Sequence, residues 1–341
     1  MTGPGTPRPR DPLAGLADEV GPPGAGPVVA VGGRTQWDVG GPVDDVAREV
    51  HPPAGIVRVD AADMVVRVRA GTTVGDLDAG LAEVGQTVAL PARPGATVGG
   101  VLAVGRSGLR RLGWGHVRDT LLEVRAVSAD GRLVTAGGPT VKNVSGYDLC
   151  RLLVGSLGTL AIIGEVVLRT RPLPATERWV AGPADPLELL RRLHRPAAVL
   201  WDGTTTWVLL DGHPDDVEAQ AALTGLPPAD GPPALPPHRW SMRPSEIGAI
   251  AADGGRFVAE VGVGVVHHEL PPPPRPVAPH VVDLHQRVKA AFDPTGRLAP
   301  GRDPLARTTV TGSSPTDSPT DSSPTGSTPA APGGSALTGA A

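Results

Sequence analysis

A single cysteine, Cys150, in 341 residues excludes an internal disulfide and any multi-cysteine metal or iron–sulfur site built by this chain alone. An excess of one charge sign is also lacking. The 31 Lys and Arg against 35 Asp and Glu leave a formal net charge of -4, which argues against nucleic acid or an anionic membrane as the main partner. Nowhere do about 18 apolar residues run uninterrupted, the length a membrane-spanning helix needs. The stretch from Met1 to Pro27 carries Arg8 and Arg10 but no apolar segment before Gly21, so it does not read as a secretory signal. A cytoplasmic location is expected, with any membrane association made through partner subunits. Two phosphate-binding patterns are missing as well. There is no G-x-x-x-x-G-K-[ST], which disfavours P-loop phosphoryl transfer, and no G-x-G-x-x-G opening a helix after a strand.

What is abundant is glycine and proline, 46 and 40 residues, and their placement divides the chain. At both ends proline sits among Ser, Thr and Gly, a composition that buries too little apolar surface to offset ordering entropy. Residues 1–25 and the Ser/Thr/Pro-rich tail 306–341 are therefore expected to be disordered. Between them, short β-branched runs alternate with helical segments and glycine turns, an α+β pattern. Met64 to Ala70 alternates Met64, Val66, Val68 and Ala70 with Val65, Arg67 and Arg69, the period of a half-buried strand. Thr73 caps the helix that follows, with Asp76 three residues on, and Val74, Leu77, Leu81 and Val84 share its apolar face. Leu121–Val127, the Asp130-Gly131 turn and Arg132–Thr135 read as a hairpin, and Ala161–Arg169 as another strand. After Pro174 the order becomes β-α-β-β-α, which suggests a small ferredoxin-like cap over residues 175–305. Phe257–Val266 reads there as one strand and Val281–Phe292 as the last helix.

Four glycine-rich segments lie in the first half: Val31–Gln36, Pro94–Gly100, Lys142–Asp148 and Gly155–Thr159. Any one alone is an ordinary turn. Glycine lets the main chain approach a diphosphate, and successive free amides form an anion-binding nest, so the set suggests a long cofactor.

The order and spacing of Ala92–Arg111, Arg118-Asp119, Val141–Leu153 and Gly155–Arg169 resemble the FAD domain of the FAD-binding subunit of glycolate oxidase (glycolate dehydrogenase), in the vanillyl-alcohol-oxidase or PCMH-type superfamily. Phe292–Gly301 resembles a closing motif of that superfamily. The resemblance spans Gly26 to Arg302 and implies a PCMH-type FAD-binding domain at 26–174 followed by the cap. It implies that Gly32, Gly33, Arg34, Thr35 and Gln36 form the diphosphate loop. Gly95, Ala96, Thr97, Gly99 and Gly100 form a second wall whose amides hold the cofactor. Ser107, Gly108, Asn143, Gly146, Tyr147 and Asp148 line the flavin or its approach, and Gly158, Thr159 and Ile163 contact FAD from the next strand. Departures from the pattern are Arg34 where glycine is frequent, Ala161 and Gly164 in place of Gly and Thr, and Ala299 where Asn is usual. No His occupies the Gly32–Gln36 loop, so FAD is expected to be noncovalent, with His116 and Cys150 as weaker attachment candidates.

Oxidising a 2-hydroxy acid such as glycolate requires hydride transfer to flavin, a base for the hydroxyl proton and a cation for the carboxylate. No catalytic constellation is evident. His267-His268-Glu269 is a candidate metal or base cluster, but neighbours on a strand point to opposite faces, which favours structural or solvent roles, and no metal is expected. Arg243, Arg297 and Arg302 are candidate carboxylate clamps, each also readable as a surface or contact arginine, and Tyr147 is a flavin neighbour or a core residue. The resemblance further implies a second, larger FAD subunit and an iron–sulfur subunit as partners. Two other functions stay open: a noncatalytic assembly module with an FAD fold, and a stand-alone FAD oxidase of an alcohol or sugar.

Overall fold

The computed structural model describes residues 11–138, 148–252, 254–274 and 276–306. Within these, the strand Val65–Arg69 follows the period of its sequence. Val66 and Val68 are fully buried, and Arg67 on the other face bridges Glu123 at 2.9 Å and Glu165 at 3.1 Å on neighbouring strands. It belongs to a six-stranded antiparallel sheet running Ile56–Asp60, Val65–Arg69, Ile162–Pro172, Leu121–Val127, Leu133–Gly137, with Gln86–Val88 on the far part of Ile162–Pro172. The helices Val74–Ala82 and Val98–Val104 pack on this sheet through Leu77, Leu81 and Leu102. Thr73 caps the first, its hydroxyl accepting from the Asp76 amide at 3.0 Å. Val84, expected on the buried face, is 44% exposed because the helix stops at Ala82 and the chain turns through Gly85 at φ 68°.

A second, seven-stranded sheet is ordered Pro228–Ala229, Thr176–Gly182, Thr206–Gly212, Ala198–Trp201, Phe257–Glu260, Val265–His268, His238–Ser241, with every neighbour antiparallel. Its first four strands and the helices Pro186–Arg192 and Pro214–Thr224 follow one another as β-α-β-β-α-β, ordered fourth-first-third-second in the sheet. The single strand expected over Phe257–Val266 is instead a hairpin. Gly262 and Gly264, both at φ 79°, reverse the chain between its arms.

The N-terminal expectation also needs correction. Ala14–Val20 is a helix; Leu13 before it is buried, and Leu16 and Val20 are buried in one cluster with Val28, Val127 and Ile162. Three well-placed apolar residues suffice here because a complementary surface exists on the sheet. Residues 1–10 and most of the expected tail lie outside the described residues.

A short parallel pair, Val28–Ala30 with Arg48–Val50, is held from below by the C-terminal motif: Val28 bridges Leu298, and the Ala299 amide donates to the Val28 carbonyl at 2.8 Å. Asp293 organises that motif by accepting from the Leu298 amide at 2.7 Å, the Arg297 amide at 3.1 Å and Lys289 Nζ at 2.6 Å. Burial pushes its carboxyl up, but these donors outweigh that and hold it below the usual value. Ala299 adopts φ 44°, a left-handed position that Asn tolerates better, which explains why Ala there is a departure.

Candidate functional site: a glycine cradle opening on a wide cleft

The loop Gly32–Gln36 leaves the strand Val28–Ala30 directly over the Pro94–Gly100 segment. The two loops touch main chain to main chain: a Cβ on Gly33 would lie 1.7 Å from the Gly95 carbonyl oxygen, and one on Gly32 2.2 Å from Thr97 Oγ1. Only glycine permits that approach. Among the described residues, none of the five amides from Gly32 to Gln36 donates to a protein acceptor. They are available to an anion. The wall opposite differs from expectation, because the Ala96, Val98, Gly99 and Gly100 amides are already spent on Arg93, Thr72, Ala70 and Thr97. That wall supplies surface more than donors.

Two small cavities flank this contact. One, of about 90 Å³, is lined by Gly32 to Gln36, Thr97, Gly100 and Arg302. The other, of about 60 Å³, is lined by Gly32, Thr97, Gly99, Gly100, Gly158 and Ile163. Arg34, at φ 52°, pairs with Glu49 and lies 4.9 Å from the Trp37 ring centre, with Arg302 at 4.8 Å. Arg302 also donates to the Val39 and Gly41 carbonyls. It is therefore a cation of the glycine loop, not a clamp in a substrate pocket.

Gln36 connects the cradle to a third space. It lines both the 90 Å³ cavity and a cleft of about 700 Å³, and its Oε1 is buried without a hydrogen-bond partner. An orphaned buried acceptor beside five free amides is what a long, mixed donor–acceptor cofactor would satisfy. Ser107 and Gly108, expected beside the flavin or its approach, line the same cleft. So do groups the sequence reading missed: Asp78, Thr87, Arg93, Arg110, Arg111 and Trp114. Burial pushes the Asp78 carboxyl up, while Thr87 Oγ1 donates to it at 3.0 Å and lowers it less. Arg110 is fixed by Glu177 at 2.5 and 2.7 Å, and Trp114 Nε1 donates to Asp211 at 2.7 Å. A helical position one turn past a cap gives no hint that Asp78 lines a cleft.

Other expected residues are placed elsewhere. Gly95 and Ala96 underlie the loop without lining these cavities. Thr159 is buried with its hydroxyl on the Ser156 carbonyl, and its own carbonyl accepts from Lys289 at 2.8 Å. Asp148 caps the helix Leu149–Leu153, accepting from the Arg151 amide at 3.0 Å. Asn143, Gly146 and Tyr147 lie outside the described residues. Arg297 is 4% exposed and donates to five main-chain carbonyls, so it clamps no substrate. Arg243 is a surface arginine near Glu246. His267 bonds Glu260 at 3.0 Å on one face of its strand, and His268 is buried on the other, stacked on Trp240. Among the described residues, no group of three His, Cys, Asp or Glu is placed to hold a metal.

The two weaker attachment candidates have chemistry of their own. Burial pushes the Cys150 thiol up to about 11, which removes its nucleophilic form near neutrality. Burial, then Arg111 and Arg118, push His116 down to about 4 from 6.5. The folded state thus keeps this ring neutral while the unfolded chain binds a proton below pH 6.5. Stability from this group is complete above pH 6.5 and drains away as pH falls toward 4. Denaturant midpoints measured across that window should fall less in His116→Asn than in the parent, and parallel curves would refute the assignment.

Comparison with known proteins bears on the cofactor. The family model described as an FAD binding domain (FAD_binding_4) matches residues 25–137. These residues are similar to an FAD binding domain. The cofactor is FAD. The chain is 32% identical over 211 residues to glycolate oxidase subunit GlcE of Escherichia coli, covering 58% of this chain and 60% of that protein. It is 44% identical over 119 residues to a D-lactate dehydrogenase of Archaeoglobus fulgidus, 34% of this chain and 26% of that one. The chain thus spans less than two thirds of the length of these relatives. A solved alkyldihydroxyacetonephosphate synthase superposes with TM-score 0.62 over 84% of this chain and 73% of its own, at 14% identity, which establishes a PCMH-type fold alone. No helix among the described residues is long and apolar enough to cross a membrane.

Proposed function

We propose that the chain is the FAD-binding subunit of an oxidoreductase of the glycolate oxidase type, oxidising a 2-hydroxy acid such as glycolate to the 2-oxo acid. The observation that carries this is continuity: the free amides of Gly32–Gln36 run through the orphaned Gln36 Oε1 into a 700 Å³ cleft lined by arginines and one poorly solvated carboxylate. Bound FAD supplies the hydride acceptor. The chain's own residues supply the rest. The amides of Gly32–Gln36, with Arg34 and Arg302, hold the diphosphate, while Ser107 and Gly108 flank the flavin side. Arg93 and Arg111 attract the substrate carboxylate, because a guanidinium offers it two parallel hydrogen bonds. Asp78, biased toward its protonated form by burial, is the group placed to take the hydroxyl proton. Residues 26–174 form the cofactor domain and 175–305 the cap. The chain works in the cytoplasm beside a second FAD subunit and an iron–sulfur subunit, in keeping with the relatives named as glycolate oxidase subunits GlcE and GlcD.

A second reading, an FAD-fold assembly subunit that turns over no substrate, is favoured by Arg34, which stands at positive φ where a glycine would leave the loop open. Purification alone separates them. Bands near ~370 and ~450 nm, released by acid, are expected for noncovalent flavin of the hydride-accepting kind, with bleaching by glycolate or D-lactate. Flavin that no 2-hydroxy acid bleaches would support the assembly reading, and so would a colourless chain that takes up no added FAD, which would refute the enzyme reading.

A further inference from the structure

Behind the wide cleft, at the seam of the two sheets, lies a separate cavity of about 370 Å³ that the proposed reaction does not use. It is lined by Arg171 at the end of the strand Ile162–Pro172, by His194 and Arg195 after the helix Pro186–Arg192, and by His213 and Asp216 at the start of Pro214–Thr224 with Gln220 farther along it. Arg171 is the telling residue. Its guanidinium lies 4.3 Å from the Trp114 ring centre, and its Nε is buried with no hydrogen-bond partner. Among the described residues, no carboxylate comes within ion-pairing distance of Arg171 or Arg195. Asp211 faces the cavity, but its Oδ2 already serves Trp114 Nε1 at 2.7 Å and Arg110 at 3.3 Å. Asp216 is exposed at the rim.

A buried Nε left without an acceptor is costly, and partial burial, only partly offset by Asp211, disfavours the Arg171 charge, with Arg195 and Arg110 adding repulsion. A neighbouring anion removes both penalties. Arg195 sits at φ 50°, so the chain holds that side chain at the cavity in a conformation L-residues seldom adopt. Gln220 accepts the His194 amide at 2.8 Å through Oε1, which leaves its NH₂ to donate.

We propose that this cavity is a binding site for a small oxyanion carrying two or more charges, held between Arg171 and Arg195 with Gln220 as a third donor. The partition between it and the wide cleft is the set Arg171, Trp114, Asp211 and Arg110, so occupancy acts on the arginine that Glu177 fixes at the cleft. The site does not depend on the flavin reading.

Calorimetric titration of the FAD-saturated full chain with inorganic phosphate and, separately, malonate at constant ionic strength tests it. One saturable site per chain is expected for at least one of the two anions. Arg195→Ala and Arg171→Gln should each weaken it about tenfold or more, the effect of losing a charge-assisted partner, while Arg93→Ala in the wide cleft leaves it intact. Preference between the titrants tells a phosphate-type ligand from a dicarboxylate. Absence of saturable binding overturns the proposal, as does binding that Arg93→Ala removes and Arg195→Ala spares. Arg195 is exposed, so its variant decides the matter even if Arg171→Gln does not fold. A chain that takes up no FAD fails the flavin reading, yet the same titration without FAD still tests this site.

Discussion

Gly33→Ala should bind FAD about a hundredfold more weakly or worse, equivalent to about 2.7 kcal/mol, while keeping its fold. The added Cβ would sit 1.7 Å from the Gly95 carbonyl oxygen and 2.6 Å from its carbon, and both belong to main chain that cannot rotate away. The loops must separate, which misaligns the five amides the diphosphate needs, since donors a fraction of an ångström out of place lose most of their value. The touching residues Gly33 and Gly95 are both exposed, so the core beneath them should survive. Gly75→Ala makes a fair comparison, because its Cβ would meet nothing nearer than Thr73 Oγ1 at 3.9 Å. Titration of FAD followed by quenching of its fluorescence, with far-ultraviolet circular dichroism to confirm the fold, reads the effect. Parental affinity in Gly33→Ala would mean that the cradle is not where the cofactor binds.

The glycine loops were legible because close main-chain approach writes itself into sequence as glycine. Gly32 and Gly33 are needed by the Thr97 and Gly95 contacts, whatever the ligand. Local periodicity likewise gave the strand Val65–Arg69 and the capped helix after it. Features set by distant parts of the chain were not legible. Gln36 matters because it bridges two cavities, and nothing in the sequence around it reports that. Asp78 faces the cleft because its helix packs one particular way. The Phe257–His268 hairpin was readable, since Gly262 and Gly264 interrupt the alternation, but the β-branched run around them outweighed that signal. The helix Ala14–Val20 was hidden for a different reason: it is too short to be stable alone and exists because the sheet offers Leu16 and Val20 a surface.

Arg297 is the sharpest case of a residue whose type misleads and whose partners decide. Arginine in a closing motif suggests a charge for substrate, yet this one spends its donors on the carbonyls of Val20, Gly21, Pro22, Gly26 and Ala129 at 2.6 to 2.9 Å. It ties the N-terminal helix, the start of the cofactor strand and the Asp130-Gly131 turn to the segment that supports Val28. Truncation leaves several carbonyls short of donors, at about 1–3 kcal/mol for each that water cannot reach. Arg297→Ala should therefore lower stability by about 3 kcal/mol or more, and Arg297→Lys should recover only a minor part, because an ammonium has three donors and no planar fork. Urea unfolding of the purified variants measures both, with the exposed Arg243→Ala expected within about 0.5 kcal/mol of the parent. Should Arg297→Ala match the parent midpoint, the five bonds would be worth no more than those to water. The closing motif would then need another reason for its arginine. If Arg297→Ala yields no folded protein, the lysine variant still tests the claim, since an ammonium restores only a minor part of what the carbonyl geometry requires.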